Sequence, residues 1–596
     1  MKFTVTSPVR KGVKSVNKIG KKAALLRLSK YFLQYKRLVL GALFFAVVGN
    51  VLALVAPVLS ANAINAIDTK TGVVDMPLVI TYCIAMAVCY LLSSVFTYAL
   101  TYVMTKLSRN ITRRMREEVF DKLLSLPVSF YDARLAGDVI NRLTYDIDTV
   151  NASLSNDIIQ IATSVITVFG SLISMLLLSP LLSCVFIVIV PLTILVTVQR
   201  SRVMRPLFRK RSGKLGELNG YSEEMLSGIR TIKGYGREDE ISERYELRNE
   251  NAAQAYYDAD YYGSKVGPTV NFINNLSTVF ISVFGGYLFL QGRMQLGYVS
   301  AFLQYSRKFT GPINEFANII SEIQSALAAA ERLFGILDEE PERDGSDLLP
   351  APQKVRGEAE FRHVNFGYDA EKPILKDVSF RAEAGRTVAI VGPTGAGKTT
   401  IVNLLMRFYD INGGGIYLDG VETRRYARAD LRGQFTMVLQ DTWLFEGTVR
   451  ENIAYGNESA TDAEIEEAAK AANVHDFILS LPQGYETRLT DGGSNLSKGQ
   501  KQLLTIARAM VSRAKILILD EATSNVDTRT EILVQNATQK LMEGKTCFVI
   551  AHRLSTIVHA DLILVVRAGN VVESGTHAQL LEQGGFYASL YNAQFQ

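Results

Sequence analysis

Nine residues from Gly392 to Thr400 read GPTGAGKTT. Gly392, Gly397, Lys398 and Thr399 stand at the spacing of a phosphate-binding loop. Between them, Pro393, Thr394, Gly395 and Ala396 are small or turn-forming, so backbone N–H groups can wrap a polyphosphate. The loop follows the apolar run Thr387–Val391 and precedes the helix-like Ile401–Phe408. A helix start there adds its positive dipole end, and an ordinary glycine-rich turn has no need of that context. Lys398 can neutralise terminal phosphate oxygens, Thr399 offers a hydroxyl to Mg2+, and Thr400 extends the ATP-binding set. About 120 residues on, Lys515–Asp520 (KILILD) is a strand-like run ending in acid, with Glu521 next. Asp520 can hold Mg2+ directly or through water. Glu521 can orient or deprotonate an attacking water. The chemistry is therefore nucleotide hydrolysis with ATP and Mg2+.

The elements that must carry this site divide the chain. Among 596 residues, 48% are hydrophobic and 21% charged, and mean hydropathy is +0.12. The N-terminal half holds long uncharged runs, whereas the C-terminal part reads as an α/β domain. A net charge of +5 is small for this size and points away from nucleic acid. Cys83, Cys89, Cys184 and Cys547 have no metal-ligand spacing, and the five histidines are scattered, so thiols read as reduced and buried.

Leu38–Ile67, Met76–Thr105, Ile158–Gln199 and Val266–Gly292 lack charge. A bilayer crossing needs about 20 such residues, so the third run breaks into two spans at Ser179-Pro180. A sixth span carries Arg307 and Lys308, which predicts a helix facing a polar cavity. Residues 1–37 hold eleven Lys/Arg and no Asp/Glu, which places the N-terminus in the cytoplasm. The nucleotide site is cytoplasmic too, so an even number of crossings is required. Transit peptide is the competing reading of this basic segment. Ala24–Arg37, with Leu25, Leu28, Phe32 and Tyr35 near one face, instead reads as an interfacial helix, and no cleavable leader is expected. Lys106–Asp157 and Arg200–Lys265 are too polar for lipid and read as helices continuing into the cytoplasm.

The division expected is thus residues 1–37 as a basic segment and 38–337 as an all-α six-helix transmembrane domain. Its spans lie near 38–62, 77–104, 156–179, 181–200, 267–291 and 295–320. An acid- and Pro-rich linker at 338–357 leads to an α/β P-loop nucleotide-binding domain at 358–596.

Asn495–Gln500 reads NLSKGQ, ahead of a helix-like run with Arg508. The phosphate loop, this segment and LILDEATSNVD occur in the order found in ATP-binding cassette (ABC) proteins. With six spans fused ahead, the chain resembles an ABC exporter half-transporter over nearly its whole length. The resemblance implies further roles. Tyr368 matches the aromatic that stacks on adenine. Gln440 matches the glutamine that senses Mg2+, and His552 the switch histidine at the γ-phosphate. Leu496, Ser497, Lys498, Gly499 and Gln500 match the signature that acts on ATP held by a partner domain. Ser524 and Asp527 lie in the loop that crosses between the two ATPase domains. Leu126–Asp148 and Ser222–Arg244 resemble the two cytoplasmic loops, with tips near Ser129–Asp132 and Tyr235–Asp239.

Lys498 replaces the usual glycine of the signature, and the crossing loop reads SNVD where SALD is common. That set resembles the intact half of bacterial heterodimeric multidrug-type exporters. The expected partners are a second half-transporter, more readily a different one than a copy, the bilayer, and a small hydrophobic or amphipathic substrate. A lipid or peptide translocator and an ATP-gated channel or regulatory subunit are the alternatives. The expected location is a bacterial inner membrane with both termini cytoplasmic. Asn50, Asn62, Asn271, Asn274, Gln304, Tyr305 and Arg307 are candidate cavity residues, with helix packing as the simpler role for each.

Overall fold

A computed structural model describes residues 20–67, 73–345, 348–350, 355–369, 372–440, 442–490, 492–520, 528–550 and 557–595. Glu521, Ser524, Asp527 and His552 lie outside the described residues. The chain forms two compact units. One holds residues 20–124 and 136–339; the other holds Ser125–Leu135 and the residues from Glu340 onward.

The first unit is helical. Among the described residues, five helices are long and apolar enough to cross a membrane: Lys36–Asn65, Met76–Leu124, Ala136–Leu178, Pro180–Ser227 and Glu238–Leu290. A further helix, Leu296–Leu337, carries Arg307 and Lys308. Helices suit lipid because every backbone polar group is satisfied within the segment. Pro57 breaks that rule inside the first of them, since it has no N–H for the carbonyl of Ala53. The structure supplies a substitute: Lys308 Nζ donates to the Ala53 carbonyl at 2.9 Å. Beside it, the Tyr305 hydroxyl donates to the Leu54 carbonyl, and its ring is fully buried. Lys308 thus meets a carbonyl freed by proline.

Two π-turns, Arg142–Asp146 and Ser153–Asp157, interrupt the third long helix. Each ends on a buried carboxylate, Asp146 at 1% and Asp157 at 4% exposure. Arg332 meets Asp146 with both fork nitrogens, Nε at 2.9 Å from Oδ2 and Nη2 on Oδ1. The extra residue of a π-turn re-aims a side chain, and here it delivers an acid to an arginine 186 residues away.

The N-terminal helix is Lys21–Gln34. Its buried face is Ala24, Leu28 and Tyr31, whereas Leu25 is exposed. Leu28 of the apolar set expected from sequence belongs to this face, and Tyr31 is drawn inward to donate to Glu118 and lie near Phe334. Leu25, Leu26 and Leu33 remain exposed on the other side, as an interfacial helix requires. At the second loop, the short helix is Ile229–Tyr235, just ahead of the expected tip. It stops because Gly236 turns the chain with φ 61°.

The second unit is α/β. Its strands are β1 Ala359–Phe366, β2 Leu375–Ala382, β3 Thr387–Val391, β4 Gly413–Leu418, β5 Val421–Glu422, β6 Phe435–Val438, β7 Gly447–Thr448, β8 Arg488–Leu489, β9 Ile516–Asp520, β10 Thr546–Ile550, β11 Leu562–Arg567 and β12 Asn570–Gly575. A six-stranded sheet runs β12-β11-β3-β10-β9-β6, and a four-stranded antiparallel sheet runs β2-β1-β4-β5. β3, β10, β9 and β6 are parallel and read as unbroken apolar runs because both faces are covered. One core fills the space between the sheets, around Phe361, Ile390, Ile401 and Phe548; the other packs helices on the opposite face, around Leu503, Ile506 and Val549. Part of the expected linker is anchored here rather than free: Glu342 pairs with both fork nitrogens of Arg432 at 2.8 and 2.6 Å, and Asp344 accepts from the Arg428 amide at 3.1 Å.

If Lys308 repairs the proline break, Lys308→Met lowers the melting temperature in detergent, at a cost of about 1 kcal/mol for the carbonyl left unpaired. In a Pro57→Ala background, where the helix regains its own N–H, the same substitution is expected to cost far less. Equal losses in both backgrounds would contradict the pairing.

Candidate functional site

The site is set by strand register. Ile390 of β3 lies opposite Ile550 of β10, and Ile550 lies opposite Asp520 of β9. Their carboxyl ends therefore finish in one row, the edge where open α/β sheets bind ligands. Gly392 continues β3, Asp520 ends β9, and Gln440 follows β6 on the same edge.

The chain reverses from β3 into the Lys398–Leu405 helix through backbone angles open to glycine. Gly392 has φ 153°, and a Cβ there would fall 2.1 Å from the Val566 carbonyl. Gly397 has φ 108° and lies against Leu375. Gly392 and Gly397 thus allow the backbone to fold close over the sheet edge, leaving amides turned toward a ligand. Pro393, Thr394 and Gly395 are exposed along the loop, while Ala396 and Gly397 are buried beneath it.

Lys398 is 9% exposed and donates through Nζ to the carbonyls of Gly392 at 2.7 Å and Pro393 at 3.1 Å. Burial holds its ammonium below the usual lysine range, and the charge of Asp520 works in the opposite direction. A phosphate can take over those donated bonds with a far better charge match. Thr399 is exposed on the first turn, whereas Thr400 is buried and its hydroxyl shares a hydrogen bond with the Tyr368 hydroxyl at 3.3 Å. Tyr368 is 48% exposed and stands edge-on to Phe366 and Tyr409, with centroids 5.0 and 4.8 Å away. A base has a free aromatic face to stack on there.

Among the described residues, no group of three His, Cys, Asp or Glu side chains could hold a metal by itself. The Thr399 hydroxyl, the Asp520 carboxylate and the Gln440 amide are nevertheless oxygen donors at one strand edge. That set fits Mg2+, which keeps few protein ligands and takes the rest from phosphate and water.

Ser497 caps the Lys498–Val511 helix. Its hydroxyl accepts from the Gln500 amide at 3.2 Å, and the Gln500 side chain accepts from the Ser497 amide at 2.9 Å. This reciprocal box leaves the first-turn amides of Lys498 and Gly499 without intrahelical partners. Leu496 is buried below, while Ser497 and Lys498 are exposed. Arg508 fixes the helix from behind through the Asn452 carbonyl at 2.8 Å and the Trp443 carbonyl at 2.9 Å. Sequence reading noted Arg508 but not these targets, which lie 56 and 65 residues away.

Of the proposed cavity residues, Asn50 accepts from Thr167 at 3.0 Å and Gln304 reaches Ser60 at 3.4 Å. With Tyr305, they are used in helix packing. Asn271 and Arg307 are exposed, and Asn274 keeps a buried Oδ1 without a partner.

Residues 39–313 match the ABC transporter transmembrane region, and residues 375–524 match the ABC transporter family. A Bacillus subtilis ABC transporter ATP-binding protein, YfiC, is 41% identical over 96% of this chain and 95% of its own length. A fatty acid ABC transporter ATP-binding/permease protein of Mycobacterium bovis is 44% identical, covering 86% of this chain and 81% of that protein. A solved ATP-bound bacterial Atm1-family ABC exporter superposes with TM-score 0.77 at 31% identity, covering 94% of this chain and 98% of the other.

Lys398→Ala is expected to reduce ATP hydrolysis by about 100-fold, the scale of losing one positioned charge at a phosphoryl group. Binding of a fluorescent ATP analogue should weaken in parallel, while the melting temperature stays near wild type. Retained hydrolysis would remove Lys398 from the phosphate site.

Proposed function

Because the chain belongs to the ABC transporters, a helical transmembrane region fused to an ATP-hydrolysing domain, we propose that it exports a hydrophobic or amphipathic small molecule by alternating access. The observation that carries this reading is the common strand edge that sets the Lys398 loop, Asp520 and the Tyr368 ring in one unit. In this reading adenine stacks on Tyr368 and the phosphates lie along 392–400. Thr399, Asp520 and Gln440 hold Mg2+, which when bound neutralises charge on the terminal phosphates. Glu521 orients the attacking water and His552 touches the γ-phosphate. Ser497 and Gly499 reach nucleotide held by the partner domain, and Ser524–Asp527 crosses between the two domains. ATP then joins two ATPase domains, and hydrolysis loosens them.

Six spans, with boundaries as in the sequence division and both termini cytoplasmic in a bacterial inner membrane, fit the eleven basic residues at 1–37. The substitution of Lys498 in the signature supports a partner half of different sequence. A cavity of about 260 Å3 between the Lys36–Asn65 and Met76–Leu124 helices is lined mostly by apolar side chains, among them Leu59, Ile64, Val79 and Met86. Its chemistry suits acyl or aromatic groups. A second reading, lipid translocation, is favoured by the names of two relatives, the fatty acid transporter and an ATP-dependent lipid A-core flippase of Saccharophagus degradans that is 36% identical over 91% of this chain and 90% of its own.

Purified alone, the chain is expected to hydrolyse little ATP, and its partner half should restore turnover. In the restored complex Glu521→Gln should retain ATP binding and lose nearly all hydrolysis, by about 100-fold or more. A transport-active dimer of this chain alone would remove the unlike partner. Wild-type turnover in the variant, with no other intact site, would remove Glu521 from the reaction.

A further inference from the structure

The short helix Val128–Asp132 lies at the turn of the first cytoplasmic loop and packs within the nucleotide unit. Phe130 is 5% exposed, and the backbone is pinned by the Glu342 amide donating to the Ser125 carbonyl at 2.8 Å. At the end of this helix Asp132 accepts from the Tyr409 hydroxyl. Burial and this carboxylate both push the Tyr409 phenol above its ordinary value, so the ring keeps its proton and stays a donor.

Tyr409 also touches the base platform. Its ring meets Tyr368 at 4.8 Å and 83°, and Phe366 at 5.7 Å and 60°. Tyr368 is tied to the phosphate-loop helix through the Thr400 hydroxyl at 3.3 Å and the Asn403 amide at 3.4 Å. The backbone beneath Tyr409 is held as well. Neighbouring Asp410 accepts from Arg407 at 3.1 Å and Arg428 at 2.6 Å, and both arginines are buried. One aromatic ring on a fixed ledge therefore joins the platform to the loop helix.

We infer that Tyr409 is the positioning residue through which a purine stacked on Tyr368 is felt by the loop helix Val128–Asp132. A base that fixes the Tyr368 ring also fixes the edge-on partner, and a fixed Tyr409 keeps its hydroxyl on Asp132. A polyphosphate without a base fills the phosphate loop but leaves Tyr368 unstacked, so it does not hold the loop helix. This inference rests on the reading that Tyr368 stacks on adenine. The base side of the site thereby acquires a purpose beyond affinity: it reports that the polyphosphate is a nucleotide.

The test is hydrogen exchange of the peptide spanning 125–135 in the full-length transporter without Mg2+, so that nothing turns over. ATP should slow exchange there by about threefold or more, and inorganic tripolyphosphate should not. Tyr409→Phe keeps the ring and removes the hydroxyl; it should abolish the ATP effect while ATP affinity changes less than about threefold. Asp132→Ala should do the same, and the double variant should add nothing, as for two residues of one contact. Equal protection by tripolyphosphate, or ATP protection retained in Tyr409→Phe, would overturn the inference. Tyr368→Ala separates the premise: unchanged ATP affinity there sinks the adenine platform itself, whereas weakened affinity with protection intact in Tyr409→Phe sinks the link alone.

Discussion

Parallel pairing of β3, β10 and β9 in a single register is the constraint on which the nucleotide site depends. Because Ile390, Ile550 and Asp520 stand in one row, the loop after β3 and the acid ending β9 finish at the same sheet edge. A slip of one residue in that pairing would send Asp520 to the other face of the sheet. The apolar residues that fill these strands thus serve chemistry by fixing register. Gly392 then folds the loop onto the edge where any larger residue would strike the Val566 carbonyl. Lys398 follows at once and sits on the carbonyls of its own loop, a cation already in place for phosphate.

The membrane half solves a different problem, the satisfaction of polar groups away from water. Pro57 frees a carbonyl and Lys308 takes it up. The π-turn ending at Asp146 turns an acid inward and Arg332 meets it. Both repairs involve the Leu296–Leu337 helix, which supplies Lys308 and Arg332. Removing one partner from such a pair leaves a buried polar group exposed to nothing, which is costlier than never having had the pair.

Local patterns were legible in the sequence and distant partnerships were not. The phosphate loop announces itself because spacing alone sets its shape. Thr387–Val391 and Lys515–Asp520 read as strands because buried parallel strands are apolar throughout. The short helix at 128–132 falls where the resemblance to ABC exporters put it. By contrast, nothing near Lys308 in sequence points to its partner Ala53, 255 residues away. Nor does anything near Tyr31 point to Glu118, 87 residues on, which turns it inward. Tyr409 passed unnoticed because its importance lies in Tyr368 and Asp132, neither close in the chain.

These parts describe a device in which nucleotide chemistry at a sheet edge drives a helical membrane domain. The measurement that bears most directly on it is accumulation of an acyl-chain fluorescent probe in sealed inside-out vesicles holding the assembled transporter. The account predicts that ATP drives the probe inward above its outside concentration, and that a non-hydrolysable ATP analogue does not. Equilibration without accumulation, at the same rate with either nucleotide, would describe a gated pore and contradict it.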